Sequence, residues 1–143
     1  MDTEKPRVAL LIDGDNALLE HIAKLVRFAH KNGTVTVASA YGDWKTRPLS
    51  RWKQKVADAG VTTEQRNRTR KNATDKQLIN RAKNLLKKDA ADVFVIASGD
   101  GDFAPVCREI RKKEKTVIVV GVQRHTSKVL LQAASKFVAY ERL

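Results

Sequence analysis

Two stretches of this chain end in residues that could do chemistry. The first is 8-VALLIDGDN-16 and the second is 93-VFVIASGDGDF-103. In each, a short apolar run that reads as a buried strand stops at two carboxylates one residue apart, Asp13 and Asp15, then Asp100 and Asp102. Carboxylates are normally solvated or paired, and like charges gathered in one place raise one another's pKa values. A hard divalent cation such as Mg²⁺ or Mn²⁺ resolves the repulsion, because it takes oxygen ligands and keeps several waters. Such an ion activates water and stabilises charge on a scissile phosphate. Asp15 is the weakest member, since it lies beyond the strand's end, where the direction of Asp13 does not fix its own.

The elements that must position these acids alternate regularly. β-Branched runs occur at 8-VALLI, 34-TVTVASA, 61-VTTEQ, 93-VFVIA and 117-VIVVGV. Between them, apolar residues recur every three or four positions over 16–32, 73–88 and 102–113, the helical spacing. A weaker helix over 48–59 opens at Pro48, and an amphipathic piece at 126–135 leads into a terminal 137-FVAY. Strands alternating with helices predict a parallel sheet covered on both faces. The expected fold class is α/β, a small doubly wound fold of five strands with right-handed crossovers, and one order open to it is 3-2-1-4-5. In that order the first and fourth strands are neighbours at the switch point, where ligands bind beyond the carboxyl ends of the strands. Asp13 and Asp100, 87 residues apart, then meet in one cleft. Asp75 precedes Leu78 and Ile79 by three and four residues, so it shares their core-facing stripe and looks over the rim of the sheet.

Composition narrows the partner. The 143 residues are 42% hydrophobic and suit one domain over 1–143 with a sizeable core. Lys and Arg number 28 against 16 Asp and Glu, a net charge of +12 that points to a polyanion, most simply nucleic acid. The lone Cys107 suits a reducing compartment. Apolar runs fall far short of the ~20 residues that span a bilayer, and MDTEKPR has no apolar centre of a leader. The expectation is a cytoplasmic protein without a membrane partner. Arg66, Arg68, Arg70 and Lys71 crowd into 65-QRNRTRKN-72, read as an exposed loop just before Asp75. There, Arg68, Arg70 and Lys71 are placed to hold phosphates. In 45-KTRPLSRWK-53, Lys45 and Arg47 add charge, and the flanking Trp44 and Trp52 are candidates to stack on unpaired bases, though Trp52 fits core packing equally.

Plainer readings exist for each residue. Asp100 or Asp102 fits a cap on the helix carrying Phe103, Asp15 or Asn16 a cap on the first helix, and Asp75 the third position after an Asn72 cap. The basic run fits a solvated face. His21, His30 and His125 make no metal-ligand spacing, and no phosphate-cradling glycine loop of the usual forms occurs.

With these residues in view, the sequence resembles the NYN domains, specifically their LabA-like branch within the PIN-like metal-dependent nucleases. The matching pieces are 12-IDGDN-16, 71-KNATDKQLINRAKNLL-86, 97-ASGDGDFAPVCREIRKKEKTVIVVG-121 and 127-SKVLLQAASKFVAYE-141, which together cover most of the chain. The resemblance implies a Rossmann-like (PIN-like) three-layer sandwich with a central, mainly parallel sheet of five or six strands in the order 3-2-1-4-5, and endoribonuclease activity with Mg²⁺ or Mn²⁺. It places Asp13, Asp75, Asp100 and Asp102 on catalytic, metal-binding positions, with Asn16, Ser98 and Ser127 as polar support. Many relatives carry a further acid six residues after the helix-start one, where this chain has Arg81.

Three functions compete. The first is a metal-dependent nuclease on single-stranded or structured RNA. The second is a basic nucleic-acid-binding module with a vestigial acidic site. The third is a phosphatase of the haloacid dehalogenase type, with Asp13 as nucleophile and Asp15 as acid. Ala17 replaces the usual Thr of that third motif, and the net charge is excessive for a small phosphate ester. A homodimer is left open.

Overall fold

A computed structural model describes residues 4–66 and 73–143. Six strands form one sheet: β1 (Arg7–Asp13), β2 (Thr34–Gly42), β3 (Thr62–Gln65), β4 (Val93–Ala97), β5 (Thr116–Gly121) and β6 (Lys136–Ala139). All pair in parallel, in the order β3-β2-β1-β4-β5-β6. The expected order holds, and 137-FVAY extends it as a sixth strand, β6, beside β5.

The apolar runs of β1 and β4 are buried on both sides, as a parallel sheet between helix layers requires. One layer holds α1 (Ile22–Lys31) and α3 (Lys53–Asp58), which cover Val8, Leu10, Ile12, Val95 and Ala97. The other holds α4 (Ala73–Lys87), α5 (Ala104–Lys112) and α6 (Lys128–Ala133), packed on Ala9, Leu11, Phe94, Ile96, Val117 and Val119. The helix expected over 48–59 is instead two short ones, α2 (Arg47–Ser50) and α3, with Arg51 and Trp52 between them. Four residues starting beside Pro48 make one turn, too little to propagate alone. Among the described residues no helix is long and apolar enough to cross a membrane.

Strand alternation decides what happens at the carboxyl edge. Ala9, Leu11 and Asp13 point to the α4–α5 side, as do Phe94, Ile96 and Ser98. The pairing Ile12 with Ala97 brings the next two residues, Asp13 and Ser98, side by side.

Candidate metal centre

Asp13 is 0% exposed at the end of β1. Its Oδ2 accepts from Asn16 Nδ2 at 2.7 Å and from Ser98 Oγ at 2.9 Å. Ser98 Oγ in turn accepts from the Asp100 backbone N–H at 3.1 Å, so its one proton is committed to Asp13. The relay ties the ends of β1 and β4 together and leaves Asp13 Oδ1 fully buried with no hydrogen-bond partner among the described residues. Burial pushes the Asp13 carboxyl above its ordinary pKa, and the hydrogen bonds from Asn16 and Ser98 pull the other way.

Beside it, Asp75, Asp100 and Asp102 each place one carboxylate oxygen within 4.8 Å of the others. Asp75 comes from the first turn of α4 and is 8% exposed, aimed inward by the stripe that also buries Leu78, Ala82 and Leu85. Asp100 and Asp102 flank Gly101 at the start of a 3-10 turn, Gly101–Phe103. There is no space for a side chain at 101, because a Cβ would lie 2.8 Å from Ser127 Oγ. Burial, then the charges of Asp13 and Asp100, push Asp75 up to about 7. Among the described residues no Lys or Arg pairs with any of the four acids.

The sequence-derived expectations divide here. Asp75, Asp100 and Asp102 converge, and Asp13 lies close enough to raise the pKa of Asp75 without joining the trio within 4.8 Å. Capping and clustering also coexist, because Asp100 Oδ1 accepts from the Asp102 N–H at 2.9 Å while remaining in the trio. Asp15 and Asn16 cap no helix through their side chains. Asp15 is exposed and Asn16 serves Asp13 instead. Lys45 and Arg47 are exposed on the segment after β2, at the same edge of the sheet. Arg68, Arg70 and Lys71, like Asn72, lie outside the described residues. Arg81, six residues past Asp75, turns off the core stripe into a polar groove with Tyr41, Glu64 and Gln77.

One expectation is overturned. Trp44 is 3% exposed, and its Nε1 donates to the Glu64 carbonyl at 2.9 Å, so it cannot stack on a base. Large aromatic surface with one satisfied polar handle is what a core accommodates best. Trp52 is half-buried against the α1 layer, with Arg51 and Lys55 each 5.3 Å from its ring.

Sequence reasoning missed a crevice of about 300 Å³ beside Asp100, on the other side of the β1–β4 seam from α4. Asn16, Leu18, Ser98, Val122, His125 and Tyr140 are among its lining residues. The signal was faint, two glycines at strand ends. A Cβ at Gly99 would lie 2.8 Å from the His125 carbonyl, and one at Gly121 2.9 Å from Thr126 Oγ1.

Comparison with known proteins adds the following. The NYN domain family matches over residues 7–141. No curated protein matches the chain. A solved structure of a protein of unknown function from Vibrio parahaemolyticus superposes with a TM-score of 0.79 at 23% identity, over 97% of this chain and 95% of that one. At that identity the likeness concerns the fold alone.

Proposed function

The chain belongs to the NYN domain family, and from that premise we propose that it is a metal-dependent endoribonuclease of the LabA-like branch, within the PIN-like nucleases. The observation that carries this reading is the trio Asp75, Asp100 and Asp102, gathered within 4.8 Å with no cation of the described chain among them. Three carboxylate oxygens gathered this closely favour a divalent cation among them.

The donors fit Mg²⁺ or Mn²⁺, being oxygen throughout. Asp75, Asp100 and Asp102 would hold the ion, with Asp13 beside them as a further oxygen donor. When bound, the ion supplies a water of lowered pKa and a Lewis acid for the phosphate. The protein's own residues do the positioning. Asn16 and Ser98 lock Asp13 in one orientation, and Ser127 packs against the Gly101 turn that presents Asp100 and Asp102. Lys45 and Arg47, with Arg68, Arg70 and Lys71, give the strand's phosphates a cationic border. The reading takes 1–143 as a single cytoplasmic domain acting on RNA.

The test is cleavage of a labelled single-stranded RNA with Mn²⁺, Mg²⁺ or EDTA, in wild type and Asp100→Asn. Metal-dependent cutting lost in the variant is expected. Cutting that survives EDTA, or survives the substitution, sinks the reading. Arg81 favours the alternative of a binding module with a vestigial site, whose mark is salt-sensitive binding without cleavage at any metal concentration. The phosphatase reading has no geometric support: Asp13 has no exposed surface from which to attack, and Asp15 is turned outward.

A further inference from the structure

The crevice beside Asp100 has features that the metal centre does not use. Its floor is apolar, made by Leu18, Val120, Val122 and the buried ring of Tyr140. Its rim carries Asn16 and the exposed imidazole of His125. Of its lining residues only Asp100 is a carboxylate, so it is no second cation site. Its volume, about 300 Å³, stands at the small end of ligand sites, which run from roughly 300 to 1,000 Å³. Residues 125–126 shape it: a Cβ at Gly99 would lie 2.8 Å from the His125 carbonyl, and one at Gly121 2.9 Å from Thr126 Oγ1.

Two polar groups are left over there. Asn16 spends its amide N–H on Asp13, which leaves its carbonyl oxygen as an acceptor. The Tyr140 hydroxyl accepts from the Leu18 N–H at 3.2 Å, which leaves its proton to donate. One donor and one acceptor above an apolar floor, with an imidazole at the mouth, match the edge and faces of a nucleobase. Asn16, Ser98 and Asp100 line the crevice and belong to or support the acidic centre, so the two sites adjoin and one strand can reach both.

We propose that this crevice receives one unpaired nucleobase of the RNA, the base beside the phosphate presented to Asp75, Asp100 and Asp102. The proposal rests on the nuclease reading and specifies its substrate. A base seated here has left its stack and its partner, so the strand at the cut is single.

The test begins without metal. The ring protons of His125 are followed by NMR in EDTA during titration with a single-stranded RNA pentanucleotide, and then with the same sugar–phosphate chain lacking its bases. His30, on α1, is the internal control. The His125 signals are expected to move with the intact oligomer and to need about tenfold more of the baseless chain, the effect of one lost base stack. In Val122→Trp, which fills the crevice without altering an aspartate, the response to the intact oligomer is expected to vanish. Equal responses to the two oligomers overturn the proposal, and so does a full response in folded Val122→Trp. If that variant does not fold, the comparison of oligomers in wild type decides alone. With Mn²⁺, an abasic residue walked along a substrate should lower kcat/KM about tenfold when it adjoins the cut. Cleavage indifferent to that residue removes the base site and leaves the nuclease. A base-dependent His125 response with no cleavage of any RNA leaves the base site and removes the nuclease.

Discussion

The two ends of the sheet carry the same kinds of charge in opposite states. At the amino edge, Asp92 accepts from the Arg7 backbone N–H at 2.9 Å, from Arg7 Nε and Nη2 at 3.0 Å each, and from Lys115 Nζ at 3.2 Å. Asp89 pairs with Lys115 at 2.8 Å and Arg7 at 3.3 Å. The Arg7 guanidinium beside Asp92 holds its carboxyl well below the usual range. At the carboxyl edge, no cation of the described chain meets Asp13, Asp75, Asp100 or Asp102, and Asp75 is pushed up to about 7. Among the described residues, the fold neutralises one pair of aspartates thoroughly and brings no cation to the other group.

Substitutions at the two edges should therefore separate sharply. The largest contrast is in cleavage. Asp75→Asn removes a carboxylate from the trio and should lower kcat by roughly 10²–10³-fold, the loss of several kcal/mol of charge stabilisation. Asp92→Asn should cut RNA at the wild-type rate, and an equal loss in both would abolish the distinction between the edges.

Next in size is metal-linked stability. At pH 8 and about 100 times its Kd, Mn²⁺ should add about 2.7 kcal/mol, or roughly 8–10 °C in Tm, to wild type. The increment should disappear in Asp75→Asn and persist in Asp92→Asn. Without metal the two edges should differ in sign. Asp92→Asn should lose about 1 kcal/mol by urea unfolding, after allowance for its partial exposure. Asp75→Asn should gain stability at pH 8, because a buried like-charge repulsion is relieved.

The smallest effect is the pH slope of that difference. Folded Asp75 keeps a proton that the unfolded chain loses near pH 4, so metal-free wild type should lose stability as pH rises from about 4 to about 7. Asp92, whose pKa is lowered, contributes stability that is present above about pH 4 and lost in more acidic solution. Urea midpoints at pH 5 and pH 8 in EDTA test the Asp75 slope, and midpoints at pH 3 and pH 5 test that of Asp92, for wild type and both variants.

Much of the carboxyl edge was legible because it follows from periodicity. Alternation along β1 and β4 and the three-to-four spacing of α4 were enough to bring Asp13, Asp75 and Asp100 to one point. The alternation of strands and helices pointed to a doubly wound sheet, and its order, with β6 added, is the one expected. What stayed hidden depended on atoms rather than periods. Nothing in the sequence says that Asp13 spends one oxygen on Asn16 and Ser98 and leaves the other bare, or that Asp100 caps a turn and joins the trio at once. Trp44 was misread because its neighbours in sequence are basic and exposed, whereas its burial is decided by β3, twenty residues on. The amino-edge pairing was illegible for the same reason, since Arg7 and Asp92 are 85 residues apart and meet only through register.

The strand order also determines when the acids can meet. β1 is made first yet lies at the centre of the sheet, and its β4 neighbour follows after some eighty residues of further synthesis. Such non-local pairings form late, after the loop between them has closed. A chain stalled or truncated before β4 would carry Asp13 and Asp75 but neither Asp100 nor Asp102. On the proposed nuclease reading, the message must stay intact until the chain is finished, and the last two acids are not made until most of the protein has been read.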